Sequence, residues 1–125
     1  MIGTLQCVVL DCPDSAGLAR FYQALLGGTV NQADPRWAVD DSFSTLHTEF
    51  GIVLAFQQVA DFRAPRWPDR AHPQQFHLDL EVPDLDDAHA QVLELGAKLL
   101  QTDTRGWRVY ADPASHPFCL VQGPT

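Results

Sequence analysis

Two stretches of this 125-residue chain follow one plan. Residues 7–14 read Cys-Val-Val-Leu-Asp-Cys-Pro-Asp, and residues 77–84 read His-Leu-Asp-Leu-Glu-Val-Pro-Asp. Each is an alternating strand that ends in Pro-Asp and runs into an amphipathic helix closed by glycine. In the first copy Phe-Tyr-Gln-Ala-Leu-Leu-Gly-Gly occupies 21–28; in the second Gln-Val-Leu-Glu-Leu-Gly-Ala occupies 91–97. Two copies roughly 70 residues apart are too few and too far apart for a solenoid, whose repeats run about 20–50 residues. The pattern specifies a duplicated module.

The first strand is expected over about Thr4 to Asp11. Asp14 or Ser15 caps a helix whose apolar face is Leu18, Phe21, Tyr22, Leu25 and Leu26, and Gly27-Gly28 ends it. Strands follow near Thr29–Gln32, Phe43–Thr48 and Ile52–Gln57, with Glu49-Phe50-Gly51 as the tight connection between the last two. Residues 61–74 hold three prolines without periodicity and read as an extended linker. The plan then repeats. A strand covers Gln75–Val82, and a helix runs from Asp84 through Leu85, Ala88, Val92 and Leu95 to Gly96. Further strands lie near Lys98–Thr102, Trp107–Ala111 and Phe118–Gln122. The expected organisation is one domain over 1–125: module one at about 1–60, the linker at 61–74, and module two at about 75–125. Each module is β-α-β-β-β, so the fold class is α+β.

The net charge of −8 argues against nucleic acid and anionic membrane surfaces as partners, since both select basic patches. Cys7, Cys12 and Cys119 form no CxxC pair, and Cys7 and Cys12 face opposite sides of one strand. An odd cysteine count, an opening Met-Ile-Gly-Thr-Leu-Gln without a basic apolar leader, and no apolar run near about 20 residues lead to an expected cytoplasmic location.

Three segments carry a resemblance to a known superfamily: Phe-Tyr-x-x-Leu-Leu-Gly (21–27), His-Leu-Asp-Leu-x-Val-x-Asp-Leu (77–85) and Tyr-Ala-Asp-Pro-Ala-Ser-His-Pro-Phe (110–118). With the duplicated plan, they make the chain resemble the vicinal oxygen chelate proteins: glyoxalase I, extradiol dioxygenases, and the bleomycin and fosfomycin resistance proteins. It looks most like their glyoxalase-like members. The resemblance implies a curved eight-stranded sheet around a central cavity, often in a homodimer. It also implies a divalent metal held by a His in the first strand and a Glu in the last strand of each module. Carried over, those positions are Cys7, Leu54, His77 and Cys119, so one ligand of four is kept. Leu54 cannot ligate. Cys7, His77 and Cys119 would suit zinc chemically, but cysteine also packs as a small buried hydrophobe. Packing is the reading carried forward: no metal ligand and no cofactor are expected, with zinc as the alternative.

Strand alternation puts His77, Asp79 and Glu81 on one face and Leu78, Leu80 and Val82 on the other. The apolar face, with Val8 and Leu10 in module one, is expected under the helices, against Phe21, Leu25, Val92 and Leu95. The pocket is then expected to be lined by Cys7, Leu54, Phe56, His77, Asp79, Cys119 and Val121, with Trp37, Trp67 and Trp107 at its rim. His77 and Asp79 are the candidate catalytic pair, His77 as general base; the bland alternative is a hydrogen-bonded structural histidine. Arg63, Arg66 and Arg70 read as solvated, His72 and His116 as exposed turn residues, and Asp112 as a turn element. The expected function is binding of a small organic molecule, with lyase- or isomerase-type chemistry if the protein is an enzyme. The alternatives are a drug-sequestering protein of the bleomycin-resistance type and a metal-dependent lyase or dioxygenase with an altered ligand set.

Overall fold

A computed structural model describes residues 1–102 and 105–124. The chain divides into two compact units, Met1–Phe62 and Arg63–Thr125. The first contains β1 (Val8–Cys12), α1 (Ser15–Leu26), β2 (Thr29–Val30), β3 (Phe43–His47) and β4 (Val53–Gln58). The second contains β5 (Leu78–Val82), α2 (Leu85–Glu94), β6 (Lys98–Thr102), β7 (Trp107–Ala111) and β8 (Pro117–Gln122). The eight strands form two four-stranded sheets, in the orders β1-β4-β3-β2 and β5-β8-β7-β6. This is the β-α-β-β-β plan twice, an α+β fold. No described helix is long and apolar enough to cross a membrane.

In each unit the first strand pairs in parallel with the last, and the remaining pairs are antiparallel. A parallel neighbour cannot be reached by a tight turn. The helix and the two middle strands supply the crossover.

The helix starts are built alike. Pro-Asp ends the strand, and the aspartate accepts from a backbone N–H in the first turn: Asp14 from Gly17 at 3.0 Å, Asp84 from Asp87 at 2.9 Å. A second cap comes from the last strand. The Gln58 side chain accepts from the Ser15 N–H at 3.3 Å, and the Gln122 side chain from the Leu85 N–H at 3.1 Å. Gln58 is paired with Cys12 and Gln122 with Val82, so these two glutamines occupy the same place in their modules.

Helix α1 buries Leu18, Ala19, Phe21 and Tyr22 against its sheet. Tyr22 stacks on Phe56 with ring centroids 5.8 Å apart, and Phe21 meets Tyr22 edge-on at 5.0 Å. Leu10, Leu46 and Leu54 complete this core. Helix α2 is more polar and buries Val92. His89 on α2 bonds the Tyr110 hydroxyl at 2.8 Å, and Tyr110 stacks on Phe118 at 5.5 Å. Leu95, expected under the helix, is 39% exposed because α2 ends beside it at Gly96. Leu25 is half-buried rather than central.

The segment expected to be extended instead folds on itself. The Arg66 N–H reaches the His72 carbonyl at 2.8 Å, and Asp69 accepts from the Ala71 N–H at 2.8 Å. Arg63, Arg66 and Arg70 are exposed. His116 is 8% exposed, against the expectation of an exposed turn residue, because it packs on the Phe76 ring. Asp112 is buried and accepts from the Ala114 and His116 N–H groups, so its carboxylate serves the turn.

Phe56 lies on the helix side of its sheet, fully buried. Phe56→Ala should therefore cost about 3–5 kcal/mol of stability in urea denaturation. A loss under about 1 kcal/mol would place the ring outside the core.

Candidate functional site

The second sheet has one face against α2 and one face clear of it. Leu78, Leu80, Tyr110, Phe118 and Leu120 belong to the helix face. His77, Asp79, Trp107, Val109, Cys119 and Val121 belong to the other, because strand side chains alternate and the register aligns them. Asp79 is paired with Cys119, Val109 with Cys119, and Trp107 with Val121. His77 stands two residues before Asp79 on the same face.

These side chains line an open cleft. One lobe, about 360 Å³, is bounded by His77, Asp79, Trp107, Cys119 and Val121. A second, about 170 Å³, shares His77, Trp107 and Cys119 and extends past Trp67, Gln74, Val109 and Pro117. Gln74, Val109 and Pro117 were not expected from the sequence, although alternation from Trp107 through Val109 would have found Val109.

The polar groups of the cleft stand close together. His77 Nε2 lies 3.5 Å from an Asp79 carboxylate oxygen, longer than a formed hydrogen bond. The two side chains are 45% and 61% exposed, so a solute can reach both. Burial pushes the Cys119 thiol up to about 11, and the hydrogen bond to Asp79 and its negative charge add to the shift. Without a cation beside it, Cys119 is a protonated thiol at neutral pH.

The first unit has no equivalent group at the same positions. The alignment of strand starts matches Cys7 to His77 and Val9 to Asp79. The glutamine caps match Gln58 to Gln122, so Ala55, which pairs with Val9, is the counterpart of Cys119. The expectation of Leu54 at this position is one residue out of register. Leu54 and Phe56 are buried on the helix side, where Phe56 meets Tyr22. Cys7 is half-buried just before β1. Trp37 packs edge-on against His47 at 5.3 Å, with the Arg36 guanidinium over its ring. Leu54 and Phe56 thus pack under their own helix, against the expectation that they line a pocket, while Cys7 and Trp37 belong to the first unit.

Another hollow, of about 410 Å³, lies in the first unit, lined by residues that include Gly28, Arg36, His47 and Glu49. Arg36 is held there by Asp34 at 2.7 Å, and this hollow brings no carboxylate, imidazole and thiol together. The chemistry is concentrated in the cleft of the second unit.

Which cation suits the cleft follows from its donors. His77, Asp79 and Cys119 offer one nitrogen, one oxygen and one sulfur atom, all within 4.8 Å of one another. Manganese and magnesium favour oxygen-rich sets, and a single carboxylate beside a thiol fits them poorly. Zinc accepts all three donor types and keeps a fourth position open in its catalytic sites.

The glyoxalase-like domain model matches residues 7–121, and the chain belongs to that family. Its fold is shared with a glyoxalase/bleomycin resistance protein/dioxygenase family enzyme from Burkholderia phytofirmans PsJN. That match has 20% identity and a TM-score of 0.69, covering 96% of this chain and 98% of that one. The fosfomycin resistance protein FosX of Mesorhizobium loti matches at 17% identity and a TM-score of 0.68, over 99% and 94% of the two chains. A variant of Listeria monocytogenes FosX, solved with Mn(II) and a dihydroxypropylphosphonic acid, matches at 14% identity and a TM-score of 0.69, over 99% and 95%. No curated protein matches the chain.

In chelator-treated protein, alkylation of Cys119 should be slow near neutral pH and accelerate until about pH 11. Asp79→Asn removes the negative charge that disfavours the thiolate, so the variant should alkylate faster at about pH 8. Peptide mass spectrometry reads the rate. Equal rates in parent and variant would show that Asp79 does not hold the thiol protonated.

Proposed function

We propose that the second module binds a small organic molecule in this cleft, with its body against Trp67 and Trp107 and a polar group held by His77 and Asp79. The observation that carries the reading is the meeting of His77, Asp79, Cys119 and Trp107 in one accessible cleft. Apolar walls with a few convergent polar groups are the usual make-up of a ligand site. The hard divalent ion of the superfamily has no part in this reading, because the donors present do not suit it.

If the cleft is catalytic, the chemistry is proton transfer of the lyase or isomerase type. His77 Nε2 takes a proton from the bound molecule, and the nearby Asp79 carboxylate stabilises the imidazolium that results. The same pair then returns the proton to another atom of the ligand. A drug-sequestering role is the second reading. It is supported by the net charge of −8 and by the exposed Asp79 carboxylate, which together favour a cationic ligand. The two readings part on turnover: sequestration leaves the bound compound unchanged.

The test is a thermal-shift and NMR screen of aromatic organic cations, neutral aromatics and small carbonyl compounds against the purified chain. His77→Ala should weaken any hit at least about tenfold, or about 1.4 kcal/mol, with little effect on ligand-free stability. A hit indifferent to both His77→Ala and Trp107→Ala would overturn the assignment of the cleft.

We also read the chain as a homodimer. Strand β6 is an edge of its sheet and exposes Leu99 and Leu100, a surface that a second copy would cover. Light scattering at micromolar concentration should give twice the chain mass of 13.9 kDa. A single-chain mass would contradict it.

A further inference from the structure

The donors in the cleft are placed by backbone rather than by chance contact of long side chains. Asp79 and Cys119 sit directly opposite each other on paired parallel strands, and His77 precedes Asp79 by two residues on the same face. Their nitrogen, oxygen and sulfur atoms lie within 4.8 Å of one another. Metal–ligand bonds of about 2.0–2.3 Å put the ligand atoms of one tetrahedral ion about 3–4 Å apart. Small side-chain rotations close that difference without moving a strand.

We propose that His77, Asp79 and Cys119 form a zinc-class metal site, contained within the second module and selective for Zn²⁺ over Mn²⁺. Thiolate and imidazole donors favour zinc, and manganese lies at the weak end of the divalent series for any such set. The site departs from the ligand pattern that the superfamily resemblance implies. It takes Asp79, which is not an inherited ligand position, and it takes nothing from module one, where Val9 and Ala55 replace Asp79 and Cys119. Three protein donors leave one position of the ion open toward the cleft. A zinc ion there would polarise an oxygen of a bound molecule or acidify a bound water. The site shares His77 and Asp79 with the proposed ligand cleft. With zinc bound, these two side chains are ligands and the polar group of an organic molecule meets the ion. The proton transfer by His77 described above therefore belongs to the metal-free cleft alone, and metal titration without any organic compound separates the two readings.

The experiment uses the full chain, stripped with chelator and titrated with Co²⁺, Zn²⁺ and Mn²⁺ in the absence of any organic compound. One Co²⁺ per chain should bind and produce a sulfur-to-cobalt charge-transfer absorption, and Zn²⁺ should displace it. Mn²⁺ should bind at least about a hundredfold more weakly than Zn²⁺. Cys119→Ser should abolish the charge-transfer band, while Asp79→Asn and His77→Gln should each weaken Zn²⁺ at least about tenfold. Cys7→Ser should change nothing. If Cys119→Ser fails to fold, the other two variants carry the test, because both side chains are exposed. The proposal is overturned if Zn²⁺ does not bind, if Mn²⁺ competes equally, if Asp79→Asn and His77→Gln bind Zn²⁺ as the parent does, or if the cobalt band depends on Cys7 instead of Cys119.

Discussion

The parallel pairing of first and last strand is the constraint on which everything else in each module depends. It decides which residue of β1 faces which residue of β4, and which residue of β5 faces which of β8. A slip of one residue would carry Asp79 or Cys119 to the helix side and separate them. The glutamine at the end of each last strand guards against that slip. Gln58 and Gln122 reach the first N–H of their own helix only when the strand stands in this register. One side chain thus couples strand position to helix position, and the cleft inherits its geometry from the fit.

Within that shared frame the two modules differ in what they bury. Module one packs an aromatic helix face on its sheet, with Tyr22 on Phe56. Module two uses a polar helix and fastens it by the His89 contact to Tyr110 and by the Arg108–Asp86 ion pair at 2.7 Å. Exposed ion pairs add little stability. The second module's core therefore rests more on the stacked Tyr110 and Phe118 than on its helix.

Much of this was legible in the sequence, and the reasons are local. Pro-Asp before an amphipathic run marks both helix starts, and alternation in β5 separates His77 and Asp79 from Leu78 and Leu80 without further information. The errors came where local pattern gives no phase. β4 reads Val-Leu-Ala-Phe-Gln-Gln, with apolar residues on both faces, so nothing in it says whether Leu54 or Ala55 takes the place of Cys119. That answer needed the pairing with β1. Asp79 was legible as a neighbour of His77 but not as a partner of Cys119, forty residues away, since a count restricted to inherited ligand positions passes over it. The burial of His116 and the self-folding of residues 66–72 depend on contacts that composition does not encode.

The counterpart faces of the two sheets have gone different ways. In the first, Thr45 and Ala55 are fully shut away from solvent although Val9, the counterpart of Asp79, is 44% exposed; in the second, Cys119 is only partly covered and Asp79 stands open. Change at Ala55 is therefore judged by volume, since a larger residue there has nowhere to go. Change at the second face is judged by reactivity, and a new side chain there meets few steric objections. Two sheets built on one plan thus carry different burdens: a substitution beside Cys119 remodels chemistry, while one at Ala55 tests only the packing around it.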